Sequence, residues 1–214
     1  IGLEVVDQIA LSLQGGWSPW HRPPGQVSRR SNPPSGEETA SSLAVTIGEG
    51  SHIGTLRFSD FTFLVPVSGG GLIAGIGAAL ARLDPRPRLV GVQPETAPFM
   101  HGLFYRGSQD GIPDLPSLAD GLTGAVESDS ITISMVRQLV DEIILVSEEE
   151  IARALAFAFY EYGEVIEPSG AVTLAAALRD VERNDIQLAI VSGGNIQPEV
   201  HARIVADYAG EARA

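Results

Sequence analysis

The sequence predicts an α/β fold, a layered and mostly parallel sheet flanked by helices, and three observations carry that prediction. From residue 60 onward strand and helix signals alternate regularly. An apolar run at 61–67 leads through Ser68-Gly69-Gly70-Gly71-Leu72 into a small-residue helix and a second apolar run at 89–93, the layout of a βαβ unit. The alternation then continues through 130–146 and 169–191. A βαβ crossover makes its strands parallel, is right-handed, and places ligand-binding loops at the carboxyl ends of the strands.

Taken in order, residues 1–10 read as an amphipathic helix entered without an N-cap, in a chain that opens on Ile1; this predicts sequence upstream, with residues 1–12 as a helix of a larger domain. Residues 13–59 are dense in Gly, Pro and Ser, with Gly15-Gly16-Trp17-Ser18-Pro19-Trp20 and Asn32-Pro33-Pro34-Ser35-Gly36, and predict an irregular insertion whose first alternation comes at 42–47. Residues 60–214 hold the layered domain. After the strand at 61–67, the helix at 72–83 is stopped by Asp84-Pro85, and 89–93 is the second strand. A polar stretch containing Ala119-Asp120-Gly121 separates it from a helix at 130–139 and a short buried strand at 142–146. Ser147-Glu148-Glu149-Glu150 is a capping box opening a helix to about residue 162, with Ile151, Leu155, Ala158 and Phe159 on one face. A further helix starts near Ser169 or Gly170 and runs to 180, a strand covers 187–191, and a last helix begins at 196.

With 214 residues and 44% hydrophobic content, the chain can bury a sizeable core, enough for one domain or one domain with an irregular appendage. A net charge of -13 disfavours nucleic acid and anionic membrane surfaces as partners, although a small anion can still be met by local backbone dipoles. No apolar run has the length of a transmembrane helix. The absence of Cys removes disulfides, thiolate metal sites and cysteine nucleophiles, and makes the cytoplasm the expected location.

Three short glycine motifs carry the chemistry. Ser68-Gly69-Gly70-Gly71-Leu72 has neither the Gly-Lys-Ser/Thr ending of a Walker loop nor the spacing of a dinucleotide fingerprint. Its consecutive glycines read either as a nest of N–H groups for a phosphate monoester or as a tight strand-to-helix turn. Glu167-Pro168-Ser169-Gly170-Ala171 on its own reads as a helix start with Ser169 as cap, and Ser192-Gly193-Gly194-Asn195 as a turn after a buried strand.

In their joint order these motifs resemble the pyridoxal-phosphate enzymes of fold type II (tryptophan synthase beta-like), and among them the threonine/serine dehydratases and serine racemases. Val90-Gly91-Val92-Gln93-Pro94-Glu95, Leu118-Ala119-Asp120-Gly121-Leu122, Leu139-Val140-Asp141-Glu142-Ile143 and Val146-Ser147-Glu148-Glu149-Glu150-Ile151 fall between them in the order of the dehydratase pattern. The resemblance covers the chain outside residues 9–59. It implies pyridoxal 5'-phosphate as cofactor and a small-molecule amino-acid substrate. Backbone N–H groups of Ser68, Gly69, Gly70, Gly71 and Leu72 would cup the cofactor phosphate. The Ser192 hydroxyl would meet the pyridine nitrogen, with Gly193 and Asn195 shaping that wall, and Glu167 would line the pocket near the ring. A neutral hydroxyl at that nitrogen makes the ring a weaker electron sink, which favours β-elimination of a hydroxy-amino acid to a 2-oxo acid and ammonia.

The departures from the pattern are specific. The resemblance requires a lysine for the Schiff base, and the sequence contains none: its 14 Lys+Arg residues are all Arg. In the family that lysine lies upstream of the matched region, so the isolated chain is expected to be inactive. The expected partner is the N-terminal half or a second copy in a homo-oligomer. Ser68 stands where the family has Gly. Gln93 and Phe99 stand where some relatives carry acidic ligands for a divalent cation, so no metal site is expected, and Gln93 also disfavours the alternative of a serine racemase. The remaining alternative is a non-catalytic remnant or partner chain that binds a phosphate compound.

Overall fold

The computed structural model describes residues 42–46, 52–179 and 186–209. The helix expected at 1–12 and most of the insertion expected at 13–59 lie outside the described residues. Within that insertion, Ser42–Thr46 (β1) and His52–Arg57 (β2) pair antiparallel, with a register irregularity between Ala44 and Thr46. Val45, Thr46, Ile53 and Thr55 supply the β-branched residues that favour strands. The first strand falls on the alternation that the sequence shows at 42–47, and the second lies in the remainder of the stretch expected to be irregular.

Phe61–Pro66 (β3) is buried at every position and forms the centre of a four-stranded sheet. Gly71–Leu80 (α1) returns the chain to Arg88–Pro94 (β4), which lies parallel beside β3 with Val65 opposite Gly91. Phe99–Arg106 (α2) and Ile131–Leu139 (α3) follow, and Glu142–Val146 (β5) pairs parallel with β4. Glu148–Tyr162 (α4) and Pro168–Arg179 (α5) then carry the chain back over the sheet to Ile186–Ala189 (β6), parallel to β3 on its other side, and Pro198–Asp207 (α6) ends the described residues. The strand order is β5-β4-β3-β6, all parallel. The expected α/β fold of a parallel sheet flanked by helices is therefore the observed one.

Strand alternation sorts the core into two layers. Phe61, Phe63 and Val65 of β3, Leu89 of β4 and Ile143 of β5 pack with Ile73, Ile76, Met100 and Val136 of α1, α2 and α3. Leu64, Val90 and Val92 face the other way, toward Ile151, Leu155, Val172, Ala175 and Ile204 of α4, α5 and α6. Successive residues of a strand point to opposite faces, so one run of apolar residues serves both layers. Ser147 and Glu150 make both bonds of the expected capping box at the start of α4. At the β5 edge, the Tyr105 hydroxyl donates to the Ile143 carbonyl and accepts from its N–H, both at 3.2 Å, so one side chain occupies two backbone groups on an edge strand.

Asp141, just before β5, accepts two bonds from the Arg86 guanidinium at 2.6 and 2.9 Å and one from the Leu89 N–H at 2.8 Å. Burial alone would raise its carboxyl. The bonds from Arg86 and Leu89, with the charges of Arg86 and Arg88, instead hold it below its ordinary range. A carboxylate with a depressed native pKa stabilises the fold above its unfolded pKa, and that stabilisation is lost as pH falls through the native value. Asp141→Asn is therefore expected to lower stability at pH 7 by about 1 kcal/mol, after allowance for solvent screening of this half-exposed pair. Its denaturation midpoint should also fall less steeply than that of the parent below about pH 4. Parallel pH curves for the two proteins would overturn this assignment.

Candidate functional site

The sheet order reverses at β3. The chain steps outward from β3 to β4 to β5, then returns to lay β6 on the opposite side, and ligands in open parallel sheets gather at the carboxyl ends of strands beside such a reversal. Two of the three glycine motifs leave the sheet there. Residues 68–72 follow β3 and residues 192–195 follow β6, while the motif at 167–171 opens α5, which packs across the sheet beneath them.

After β3, the Val67 N–H still bonds the Val92 carbonyl at 2.9 Å, and the chain then turns through Ser68 and Gly69 to Gly70. Gly70 has φ 85° and is the N-cap of α1 with no side-chain cap bond. A side chain at Gly70 would have a strained backbone and a Cβ 2.9 Å from Met100, 3.1 Å from Val136 and 3.2 Å from Thr132. Gly69 and Gly71 differ in that a Cβ at either meets nothing within 4 Å. The turn therefore has one side packed on α2 and α3 and one side open. Among the described residues, the N–H groups of Ser68, Gly69, Gly70, Gly71 and Leu72 have no acceptor, and the first turn of α1 carries no acidic residue. Free N–H donors, a helix N-terminus and an open cradle lined by glycine fit a phosphate group.

After β6, the Ile190 N–H bonds the Leu64 carbonyl at 2.9 Å, and the Ile190 carbonyl accepts from the hydroxyl of buried Thr173 in α5 at 3.0 Å. The loop that follows is bound to Glu167. The Glu167 N–H donates to the Gly193 carbonyl at 3.1 Å, and the Glu167 carboxylate accepts from the Asn195 N–H at 3.0 Å. A Cβ on Gly193 would lie 2.3 Å from that carboxylate. Ser192 is exposed, and its hydroxyl has no partner among the described residues. The structure thus brings Glu167, Gly193 and Asn195 into contact, with Ser192 beside them and residues 68–72 one strand away. No hydrogen bond among the described residues joins the two groups.

Two clefts adjoin the second group. One of about 760 Å³ is lined by Asp120, Gly121, Glu167, Ser169 and Asn195 among others. A more apolar one of about 410 Å³ runs from Tyr162, Val165 and Leu174 to Ser192 and Gly193. Residues 68–72 line neither.

The expected helix cap at Ser169 is not made. α5 begins at Pro168, and Ser169 is 6% exposed, its hydroxyl accepting from the Gly121 N–H at 3.1 Å. Pro168 occupies the helix start without needing a donor, which frees Ser169 to hold the Asp120–Leu122 turn. Sequence reasoning also missed Thr132, whose hydroxyl donates to the Gly69 carbonyl at 2.5 Å. Locally, Ser130-Ile131-Thr132 reads only as the start of α3, and Ser130 does accept from the Thr132 N–H.

A family profile described as pyridoxal-phosphate dependent enzyme matches residues 39–193. The chain is 39% identical over 143 residues to an L-threonine ammonia-lyase of Thermotoga maritima, with 66% of this chain and 35% of that protein covered. It is 38% identical over 137 residues to a catabolic L-threonine dehydratase of Escherichia coli, covering 62% and 41%. Among solved structures, a serine racemase of maize matches with a TM-score of 0.59 at 31% identity, covering 69% of this chain and 47% of that one. A threonine deaminase of Solanum lycopersicum matches with a TM-score of 0.59 at 27% identity, covering 71% and 42%. The chain spans less than half the length of the curated relatives it matches. The profile takes in β3 to β6, the motifs at 68–72 and 167–171 and the first two residues of the motif at 192–195, and the chain belongs to the pyridoxal-phosphate-dependent enzymes of fold type II, in the family of threonine dehydratase-like and serine racemase-like proteins.

Proposed function

We propose that the chain forms the phosphate side and ring side of the cofactor pocket in a pyridoxal-phosphate-dependent ammonia-lyase acting on threonine or serine. The observation that carries this reading is the placement of residues 68–72 and 192–195 at the carboxyl ends of adjacent parallel strands, on the two sides of the sheet's reversal. Ser68, Gly69, Gly70, Gly71 and Leu72 would hold the phosphate through backbone N–H groups. The α1 dipole favours an anion there by roughly 0.3–1 kcal/mol when exposed and up to about 2 kcal/mol when partly buried. Ser192 would stand at the pyridine nitrogen, with Gly193 and Asn195 as the wall and Glu167 keeping that wall in place.

Pyridoxal phosphate, when bound, supplies a conjugated ring that withdraws electron density from the substrate's Cα. Ser192 offers the ring nitrogen a neutral hydroxyl and no carboxylate, which weakens that withdrawal and favours loss of a β-hydroxyl over amino transfer. The chain holds no lysine to link the cofactor. That residue, and the contacts to the substrate carboxylate, would come from an upstream portion of the kind its longer relatives carry. The missing lysine equally favours a second reading, a non-catalytic chain that binds a phosphate compound.

The readings part on chemistry. Incubated with pyridoxal phosphate and threonine, the chain alone is expected to release no 2-oxo acid. Borohydride reduction and peptide mapping should find no pyridoxyl adduct at any side chain. Supplied with the upstream portion of a relative as a separate polypeptide, it should release 2-oxo acid from threonine or serine. A complex that forms and binds pyridoxal phosphate yet releases none would overturn the lyase reading in favour of the second.

A further inference from the structure

The phosphate cup depends on how two glycine peptides are turned, since Gly69 and Gly70 have no side chains to hold them. A trans peptide points its carbonyl and its N–H in opposite directions. The Gly70 carbonyl accepts from the Ala74 N–H at 3.0 Å, so the Gly71 N–H is directed outward past the start of α1. The Gly69 carbonyl lies outside the helix, and its partner is the Thr132 hydroxyl of α3, at 2.5 Å. Thr132 is itself fixed, because its hydroxyl lies 2.7 Å from the Ser130 hydroxyl and its N–H donates to the same oxygen.

We propose that Thr132 is a positioning residue for phosphate binding: its hydroxyl locks the Gly69 carbonyl toward α3 and so turns the Gly70 N–H to the open side of the cup. The inference rests on the reading of residues 68–72 as a phosphate cup. Without the hydroxyl, the Gly69–Gly70 peptide can rotate and the cup loses an oriented donor. The atoms packed on the other side of Gly70, from Met100, Val136 and the Thr132 Cβ, are carbon and offer the peptide no hydrogen bond.

The test uses 4-deoxypyridoxine 5'-phosphate, which has no aldehyde to react with amines, and 4-deoxypyridoxine, which has no phosphate. The ratio of their affinities reads the cup alone. For the parent chain the phosphorylated ligand should bind more tightly. Thr132→Val, close in shape but without the hydroxyl, should cut that preference by about five- to tenfold, the size expected for one hydrogen bond, and leave the affinity for 4-deoxypyridoxine unchanged. Thr132→Ser should restore it. The Gly70 amide resonance of the ligand-free chain should move in Thr132→Val and stay near its parent position in Thr132→Ser, a readout that general destabilisation does not separate in this way. A preference kept in Thr132→Val, with the Gly70 resonance unmoved, overturns the role of Thr132 and leaves the cup standing. No preference in the parent chain overturns the cup and the proposal together.

Discussion

Gly71→Asp is expected to abolish binding of a phosphate-bearing ligand while leaving the fold intact. Gly71 is exposed at the first position of α1, and a Cβ there meets nothing within 4 Å, so the new side chain enters the open side of the turn without displacing anything. An acidic residue in the first turn of a helix is favourable by about 0.3–1 kcal/mol, and the melting temperature should hold or rise slightly. The ligand meets the opposite balance. One pair of like unit charges about 4 Å apart near a protein surface repel by about 4 kcal/mol, which corresponds to about three orders of magnitude in affinity, and a phosphate dianion is opposed more strongly. Gly70 is the wrong place for this test. Its φ of 85° and its contacts with Met100, Val136 and Thr132 mean that a substitution there reads packing and strain before it reads the ligand. Titration of Gly71→Asp with 4-deoxypyridoxine 5'-phosphate, alongside a thermal melt, separates the two effects. Unchanged affinity in a folded variant would remove residues 68–72 from the site.

The features legible in the sequence are those whose cause is local. The apolar runs of β3 and β4, the glycine turn between them and the Ser147/Glu150 box each state their structure within a few residues, and each forms as expected. α2 was not legible, and Gly102 is the reason. A Cβ there would lie 2.8 Å from Ile112 and 3.1 Å from the Ser108 carbonyl, so packing requires the residue whose low helix propensity hides the helix. Its flanks, Pro98 before it and Gly107 at φ 76° after it, are the signals that could have marked it. The ties that assemble the site were hidden for another reason. Thr132 reaches Gly69 across 63 residues and Ser169 reaches Gly121 across 48, and nothing in either motif names its partner. The same holds for β6, whose place beside β3 depends on a return across the sheet that local pattern does not encode.

The largest effect on the ring side is expected from Gly170→Val. Gly170 lies in the buried first turn of α5, and a Cβ there would be 3.0 Å from the Gly193 carbonyl, 3.2 Å from the Gly193 N and 3.4 Å from the Ser192 N. All three neighbours are backbone, so no side chain can swing away to make room. The loop must move as a unit or the helix must shift. The helix is held on both sides of this point: Ser169 bonds the Gly121 N–H, and Thr173 bonds the Ile190 carbonyl. The loop is the softer element, and its displacement would break the bonds from the Glu167 N–H to Gly193 and from the Asn195 N–H to the Glu167 carboxylate. Overpacking of this kind costs about 1–3 kcal/mol, which for a chain of this size lowers the melting temperature by roughly 2–12 °C. Because the strain falls on the loop carrying Ser192 and not on residues 68–72, the preference for phosphorylated over unphosphorylated 4-deoxypyridoxine should survive while the affinity for both falls together. Loss of that preference, with the affinity for the unphosphorylated ligand kept, would show that residues 192–195 do not form the ring side of the site.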